Sequence, residues 1–250
     1  MKGLILGKFD VWFNFLKDVF FPLFCIGCKR EGTLFCENCI NSGFASMRSG
    51  FFCCPVCARE TECGVVCGQC REKSSLDSMM SLVRYTENSL VAKLLHEFKY
   101  NYVEAAQSSF ENIFAYFFNK KEFFLEFGFY AEFDAIVSVP LHARRFAKRG
   151  FNQSDMFSHL LSLQFGVPVV RLLKRNVFTR PQVGLSHEDR QKNVLSAFTC
   201  SSSHLLVGKR ILLVDDVFTT GSTMQECART LKAAGAAEVH GFTFARTSSY

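Results

Sequence analysis

The chain predicts a parallel α/β sheet flanked by helices and preceded by a small cysteine-rich domain, and three observations lead there. Between Ala135 and Ala245, short segments rich in Val, Ile and Leu alternate with segments of helical period, the pattern of successive strand-helix units. Ten of the twelve cysteines lie between Cys25 and Cys70, mostly as C-x-x-C pairs. The run from Ile211 to Thr223 passes without a gap from an apolar strand through two acids into a small, hydroxyl-rich loop. At 250 residues and 48% hydrophobic content the chain can bury a real core; its length permits one domain or two, and the cysteine distribution decides for two.

Phe9, Trp12, Phe13, Leu16, Val19, Phe20 and Leu23 recur at helical spacing. Residues 1–24 are therefore expected to form an amphipathic helix that docks on its own protein, with a membrane-surface or partner contact as the minority reading. Lys8, Asp10, Asn14, Lys17 and Asp18 interrupt the apolar face and Pro22 ends it, short of the ~20 apolar residues that a membrane span needs.

The cysteine-rich domain is assigned to residues 25–75. Its pairs are Cys25/Cys28, Cys36/Cys39, Cys54/Cys57 and Cys67/Cys70. Two thiolates on a tight turn grip one side of a tetrahedral ion, and two such pairs complete a structural zinc site, so the domain is expected to hold one or two ions. The simplest pairing joins the first two pairs and the last two; a crossed pairing is the alternative. No signal-peptide pattern precedes the cysteines, which argues against a secreted disulfide module. Cys54 is preferred to Cys53 because Cys54-Pro55-Val56-Cys57 has the shape of a zinc knuckle, and Cys63 is a spare thiol, or a ligand should Cys67 face away. In so small a domain the binding free energy of the metal becomes folding free energy. Arg71 to Ser81 reads as a polar connection able to hinge the domains.

The larger domain is assigned to residues 80–250. From Asn88 to Asn119 the pattern is helical, with Leu90, Leu94, Leu95 and Phe98 on one face and Ala105, Phe110, Ile113, Phe114 and Phe117 on another. Lys120 to Phe133 is crowded with phenylalanine, of which the chain has 29; a core, an interface or the base composition of the gene would each account for that. A buried strand follows over Asp134–Val139 and stops at Pro140. A helix over Gln153–Gln164, a short strand around Val167–Val170, the Ile211 strand with its helix, and a last strand over Glu238–Ala245 complete the series.

Asp215 and Asp216 stand at the carboxyl end of a strand apolar enough to be buried on both faces, where an open α/β sheet binds its ligand. Gly221 permits a tight turn. Thr219, Thr220, Ser222 and Thr223 offer hydroxyls and amide hydrogens at the start of a helix, where phosphate is favoured. The helix itself is marked by Met224, Cys227, Ala228, Leu231 and Ala234, with Gly235 as its stop. These residues together read as a sugar-phosphate site.

DDVFTTGST resembles the phosphoribosyl-pyrophosphate (PRPP) motif of type I phosphoribosyltransferases. The resemblance implies that Asp215 and Asp216 hold the ribose hydroxyls, that Val217, Thr219, Thr220, Gly221, Ser222 and Thr223 complete the PRPP site around the 5′-phosphate, and that Mg²⁺ accompanies PRPP. Between His142 and Asn193, ten Lys or Arg stand against three acids, an excess of +7 in a chain whose net charge is +6. Such a cluster suits pyrophosphate or a nucleic-acid backbone; the loop after Val139, with Arg144, Arg145, Lys148 and Arg149 nearby, is the candidate place for it.

Val139-Pro140-Leu141-His142, Arg149-Gly150-Phe151-Asn152-Gln153, Arg180-Pro181-Gln182, and Arg190 with Asn193 form a further series. With the cysteine pairs and DDVFTTG, their order from Pro22 to Arg246 resembles the ComF family of bacterial competence proteins. The resemblance implies a PRPP- and zinc-binding protein of natural transformation. Such a protein handles incoming single-stranded DNA on the cytoplasmic side, with a competence helicase or an inner-membrane DNA channel as partner and a peripheral place at the inner membrane. It also marks Lys99 as a position where that family carries lysine. Phe146, Phe151 and Phe178 are candidate stacking partners for bases, and His142 reads as a loop histidine before a general base. The alternative function is a phosphoribosyltransferase of nucleotide or cofactor salvage. Beyond the last strand the sequence suggests none of the hood with which transferases of this class recognise a base, which favours PRPP binding over transfer.

Overall fold

The structure is a computed structural model that describes residues 20, 22–44, 51–100, 103–120, 132–177, 195–201 and 203–247. Most of the expected N-terminal helix lies outside the described residues, as do most of the phenylalanine-rich stretch and Phe178, Arg180, Pro181, Gln182, Arg190 and Asn193.

In chain order the elements are α1 (Glu37–Phe44), β1 (Phe51–Phe52), β2 (Ser78–Tyr85), α2 (Leu90–Tyr100), α3 (Val103–Phe118), β3 (Ala135–Ser138), α4 (Ala143–Arg149), α5 (Gln153–Phe165), β4 (Leu173–Arg175), β5 (Phe198–Cys200), β6 (Arg210–Phe218), α6 (Ser222–Ala233) and β7 (Glu238–Thr247). Five strands form one sheet in the order β1-β2-β7-β6-β3. β2, β7, β6 and β3 run parallel, and β1 adds an antiparallel edge, Phe51 opposite Ser81 and Phe52 opposite Met80. The short strand expected around Val169 narrows to a single parallel bridge to Ile136. β4 and β5 make a separate two-stranded antiparallel sheet.

Side chains alternate across a strand, so β6 feeds two cores. Leu212 and Val214 join Phe98, Phe110, Phe114, Phe157 and Phe244 under α2, α3 and α5. Ile211 and Leu213 join Met224, Cys227, Ala228 and Leu231 of α6. A strand covered on both faces has no polar side to show, and Ile211–Val214 is accordingly apolar throughout. The helical faces expected from Leu90, Leu94, Leu95 and Phe98 and from Phe110, Ile113, Phe114 and Phe117 are packed into the first of these cores. Much of the phenylalanine excess is therefore core. Phe110 meets Phe98 at 4.9 Å, Phe157 at 5.0 Å and Phe244 at 4.8 Å between ring centres.

The polar hinge expected over Arg71–Ser81 is corrected. A 3-10 helix covers Gly68–Lys73, and β2 opens at Ser78 with its first six residues buried. Its serines disguise it in the sequence. Ser78 Oγ pairs with His240 Nδ1 at 2.8 Å and Ser81 Oγ with Thr243 Oγ1 at 2.8 Å, so both hydroxyls are satisfied against β7.

The cysteine-rich segment is attached at several points, two of them through its interior. Phe35, Ile40 and Phe44 enter the phenylalanine core, Phe44 lying 5.4 Å from Phe117. Further on, the Val66 amide donates to the Asp77 carbonyl (2.9 Å) and Val65 bridges Ser78, beside β2. Among the described residues no helix is long and apolar enough to cross a membrane.

Because Phe110 ties helix, sheet and α5 together, Phe110→Ala is expected to cost about 3–5 kcal/mol, measured as a fall in the urea unfolding free energy.

Candidate PRPP and metal sites

β6 carries its apolar run to Val214 and then delivers two adjacent acids to the carboxyl edge of the sheet. Neighbouring carboxylates repel, and each is compensated by a different element. Lys99, at the end of α2, places Nζ 2.5 Å from Asp216 Oδ2, both side chains largely covered. Ser154, in the first turn of α5, donates Oγ–H to Asp215 Oδ1 at 2.9 Å, and the Asp216 amide donates to the same oxygen at 2.9 Å. Burial and the Asp216 charge push the Asp215 carboxyl up to about 7, against the pull of those donors and of Lys99. The neighbouring aspartates hold Lys99 above the usual lysine value although burial opposes its charge.

The loop turns at Gly221, whose φ of +77° is open to glycine. A Cβ there would stand 2.5 Å from Phe218 Cζ, so the loop lies directly on the ring that ends β6. Thr220 Oγ1 and Ser222 Oγ are 2.9 Å apart, and α6 begins at Ser222. Thr219, Thr220 and Thr223 are partly exposed and Ser222 is nearly covered. Val217 packs its side chain on the phenylalanine core.

The four basic candidates fall on α4, where residues four apart share a face. Arg145 and Arg149 are half-buried; Arg144 and Lys148 are exposed. Burial and the charge of Arg149 lower Arg145 below the ordinary arginine value. Arg149 lies over the Tyr100 ring at 5.7 Å and donates to Gln153 Oε1 at 2.7 Å. Arg175 on β4, buried over the Phe198 ring at 5.2 Å, lies within electrostatic reach of both Arg145 and Asp215. His142 caps α4, its Nδ1 accepting the Arg144 amide at 3.1 Å, which is an architectural role.

In the Arg149–Gln153 string, Gly150 (φ +83°) stops α4 and Phe151 packs on Phe98 at 5.1 Å. Asn152 Nδ2 donates to the Val139 carbonyl at 3.1 Å. Asn152 and Gln153 are buried, and the string builds the corner between α4 and α5. Phe146 is exposed, while Phe151 is partly buried against the phenylalanine core.

The eight paired cysteines gather into two sets of four, Cys25, Cys28, Cys36 and Cys39, and Cys54, Cys57, Cys67 and Cys70, the ligand atoms of each within 4.8 Å of one another. This is the uncrossed pairing. Cys53 and Cys63 belong to neither. Four thiols around zinc with bonds near 2.3 Å would have sulfur–sulfur edges of about 3.8 Å. Cys28 and Cys36 are 3.6 Å apart and Cys57 and Cys67 3.7 Å. Burial opposes ionisation of Cys25, but amides of Cys28, Cys36 and Gly27 converge on its sulfur and bring it down to about 6; Cys54, against burial and through Cys57, Cys67 and Val56, also reaches about 6. Cys39 and Cys70 are pushed up to about 12 by burial and the thiols around them. With four sulfur donors gathered at tetrahedral spacing, both sets fit a divalent, thiophilic metal such as zinc.

Competence protein F of Haemophilus influenzae (strain ATCC 51907 / DSM 11121 / KW20 / Rd) is 31% identical over 234 residues, covering 91% of this chain and 98% of that protein. The chain belongs to the competence protein F (ComF) family. Competence protein ComFC of Bacillus subtilis (strain 168) matches at 28% over 205 residues, 78% of each chain. The DNA utilization protein YhgH of Escherichia coli (strain K12) matches at 41% over 118 residues, 46% of this ComF-family chain and 50% of its own. The phosphoribosyl transferase domain family matches residues 131–250, the part that contains β6 and its loop.

Two site residues lay beyond motif reading. Ser154 follows the Arg149–Gln153 string, but nothing in its neighbours announces an aspartate sixty residues on. Arg175 counts in the sequence as one of ten basic residues, with no sign of its burial.

The metal content of the purified protein is expected to be two ions per chain, falling to one in Cys28→Ser and to one in Cys57→Ser and remaining two in Cys53→Ser and Cys63→Ser, by elemental analysis. Asp215 has a linked consequence. Its folded value near 7 exceeds the ~3.9 of an unfolded aspartate, so the folded state keeps a proton that the unfolded chain has released. That contribution to stability is whole below about pH 4 and is lost as pH rises to about 7. Denaturation against pH is expected to show a smaller loss over this window in Asp215→Asn than in the parent.

Proposed function

We propose that this protein binds PRPP at the carboxyl edge of the sheet, holds zinc in its two cysteine sets and handles incoming single-stranded DNA during natural transformation. The observation that carries the reading is the convergence of Asp215 and Asp216 with a hydroxyl-rich loop at the start of α6, bordered by Lys99, Arg145 and Arg149. The carboxylates accept hydrogen bonds from ribose hydroxyls. Amides and hydroxyls of Thr219 to Thr223 receive the 5′-phosphate at the positive end of the helix. Lys99, Arg145, Arg149 and Arg175 meet the pyrophosphate. Mg²⁺, when it accompanies PRPP, neutralises pyrophosphate charge. The competence role draws on the likeness to Competence protein F along most of both chains. Arg144 and Lys148, exposed on α4, lie where a DNA backbone can reach them, and a helicase or channel at the cytoplasmic face of the inner membrane is the class of partner such a role requires.

A second reading, a phosphoribosyltransferase of nucleotide or cofactor salvage, draws support from Asp215, a carboxyl titrating near neutral pH and thus suited to moving a proton.

Pyrophosphate release from PRPP with Mg²⁺, with and without single-stranded DNA and a mixture of free bases, separates the two. PRPP that stays intact while bound supports a ligand site within a DNA-handling protein, and release that vanishes in Asp215→Ala supports the transferase. Under either, Asp216→Ala is expected to weaken PRPP binding at least tenfold, more than the ~1 kcal/mol of one ordinary hydrogen bond, by titration calorimetry. Single-stranded DNA binding is expected to weaken steeply with salt, and less steeply once Arg144 and Lys148 are alanine. An unchanged salt slope would move the DNA site elsewhere.

A further inference from the structure

The second cysteine set is joined to both ends of the 219–223 loop. On the entering side, Arg246 of β7 is buried, lies over the Phe218 ring at 4.7 Å and donates from Nη2 to the carbonyl of Cys54 at 3.4 Å. Cys54 is a member of the set, and the far edge of the Phe218 ring is what Gly221 rests on. Thr247 adds a bond from its hydroxyl to the Phe218 carbonyl, 3.5 Å. On the leaving side, Gln225 sits in the first turn of α6, its own amide donating to the Gly221 carbonyl at 2.8 Å. Its Oε1 accepts the amides of Ser75 (2.7 Å) and Leu76 (3.3 Å), and its Nε2 donates to Ser74 Oγ at 3.0 Å. Ser74 directly follows the 3-10 helix that holds Cys70.

The chain thus runs from one ligand, Cys54, through Arg246 and Phe218 to Gly221, and from another, Cys70, through Ser74, Ser75 and Gln225 back to Gly221. Among the described residues the first set has no such route. Its residues pack on α2 and α3, with Gly27 near Leu90 and Phe44 against Phe117. A glycine-centred loop of five residues that rests on one ring takes its shape from that ring and from what grips its ends.

We propose that the second cysteine set, when loaded with metal, is a clamp that positions the loop from Thr219 to Thr223, with Arg246 and Gln225 as positioning residues, so that loss of this one metal loosens the phosphate cradle. The proposal rests on the reading of this loop as the PRPP site. A metal held by four thiolates fixes the Cys54 carbonyl and the turn after Cys70 relative to each other. Without it, both anchors drift and the loop amides lose their shared orientation, which is what a preorganised phosphate site depends on.

The test follows hydrogen exchange of the amides of residues 218–226, together with metal content and calorimetric titration with PRPP and Mg²⁺. Arg246→Met and Gln225→Ala are expected to keep two metals per chain, to exchange about tenfold faster in this segment and to bind PRPP about tenfold more weakly, the effect of one lost hydrogen bond of upper-range strength. Arg246→Lys should recover part of the loss, since it keeps a donor but not the flat guanidinium. Cys57→Ser should lose one metal and show the same acceleration; Cys28→Ser should lose one metal and leave the segment unchanged. Equal exchange in the parent, Arg246→Met and Gln225→Ala would overturn the clamp. If the parent fails to bind PRPP at all, the reading of the pocket fails while the exchange rates still decide whether the clamp exists.

Discussion

The burial of β6 on both faces is the constraint on which the rest of the molecule turns. A strand covered by α6 on one side and by three helices on the other can emerge into a polar setting solely at its end, and there it presents Asp215 and Asp216 side by side. Two adjacent, desolvated carboxylates are unstable unless donors reach them. The donors come from Ser154 at the start of α5 and Lys99 at the end of α2, so the ends of two helices are set by charge balance at this edge. Compensation is incomplete at Asp215, which is why its proton is held to near neutrality.

The aim of Lys99 is itself a product of packing. Phe98, its neighbour, is buried among Phe110, Phe151 and Phe157. On a helix, adjacent residues point about 100° apart, so locking Phe98 into the aromatic core turns Lys99 toward the sheet edge. The same Phe98 receives Phe151 from the corner between α4 and α5, and that corner carries Arg149 to within reach of Tyr100. One aromatic residue thereby registers two cationic side chains against the aspartates.

The parts legible in the sequence are those in which local chemistry and final environment agree. Ile211–Thr223 is apolar where it is buried, acidic where it emerges and small where it turns, and each property can be read without knowing what surrounds it. The cysteine pairs are similar, because a C-x-x-C turn carries half a metal site by itself. What stayed hidden depends on partners distant in the chain. β2 looks polar because Ser78 and Ser81 find His240 and Thr243 more than 160 residues away, and a propensity reading of Arg71–Ser81 has no access to those partners. Ser154 and Arg175 become site residues through burial and approach, neither of which leaves a pattern in the neighbouring residues. Ser78, His240 and Glu238 stand in the order of a hydrolytic triad, with His240 Nε2 2.9 Å from Glu238. Ser78 is wholly buried, so this constellation braces β2 against β7 and offers nothing to a substrate.

The balance of charge at the sheet edge constrains what can occupy it. Lys99, Arg145, Arg149 and Arg175 converge there, and Arg145 and Arg175 are held below their ordinary values by burial and by a neighbouring arginine. Guanidinium groups crowded in this way raise one another's energy. Asp216 is engaged by Lys99, and Asp215 retains its proton up to about pH 7, so the acids within the site do not offset all four cations. The arrangement is relieved by a ligand that brings several negative charges to the arginine side and hydroxyl donors to the aspartate side at once. A simple anion meets the first demand and a neutral sugar the second; the proposed ligand, a phosphorylated sugar carrying a further phosphate group, meets both.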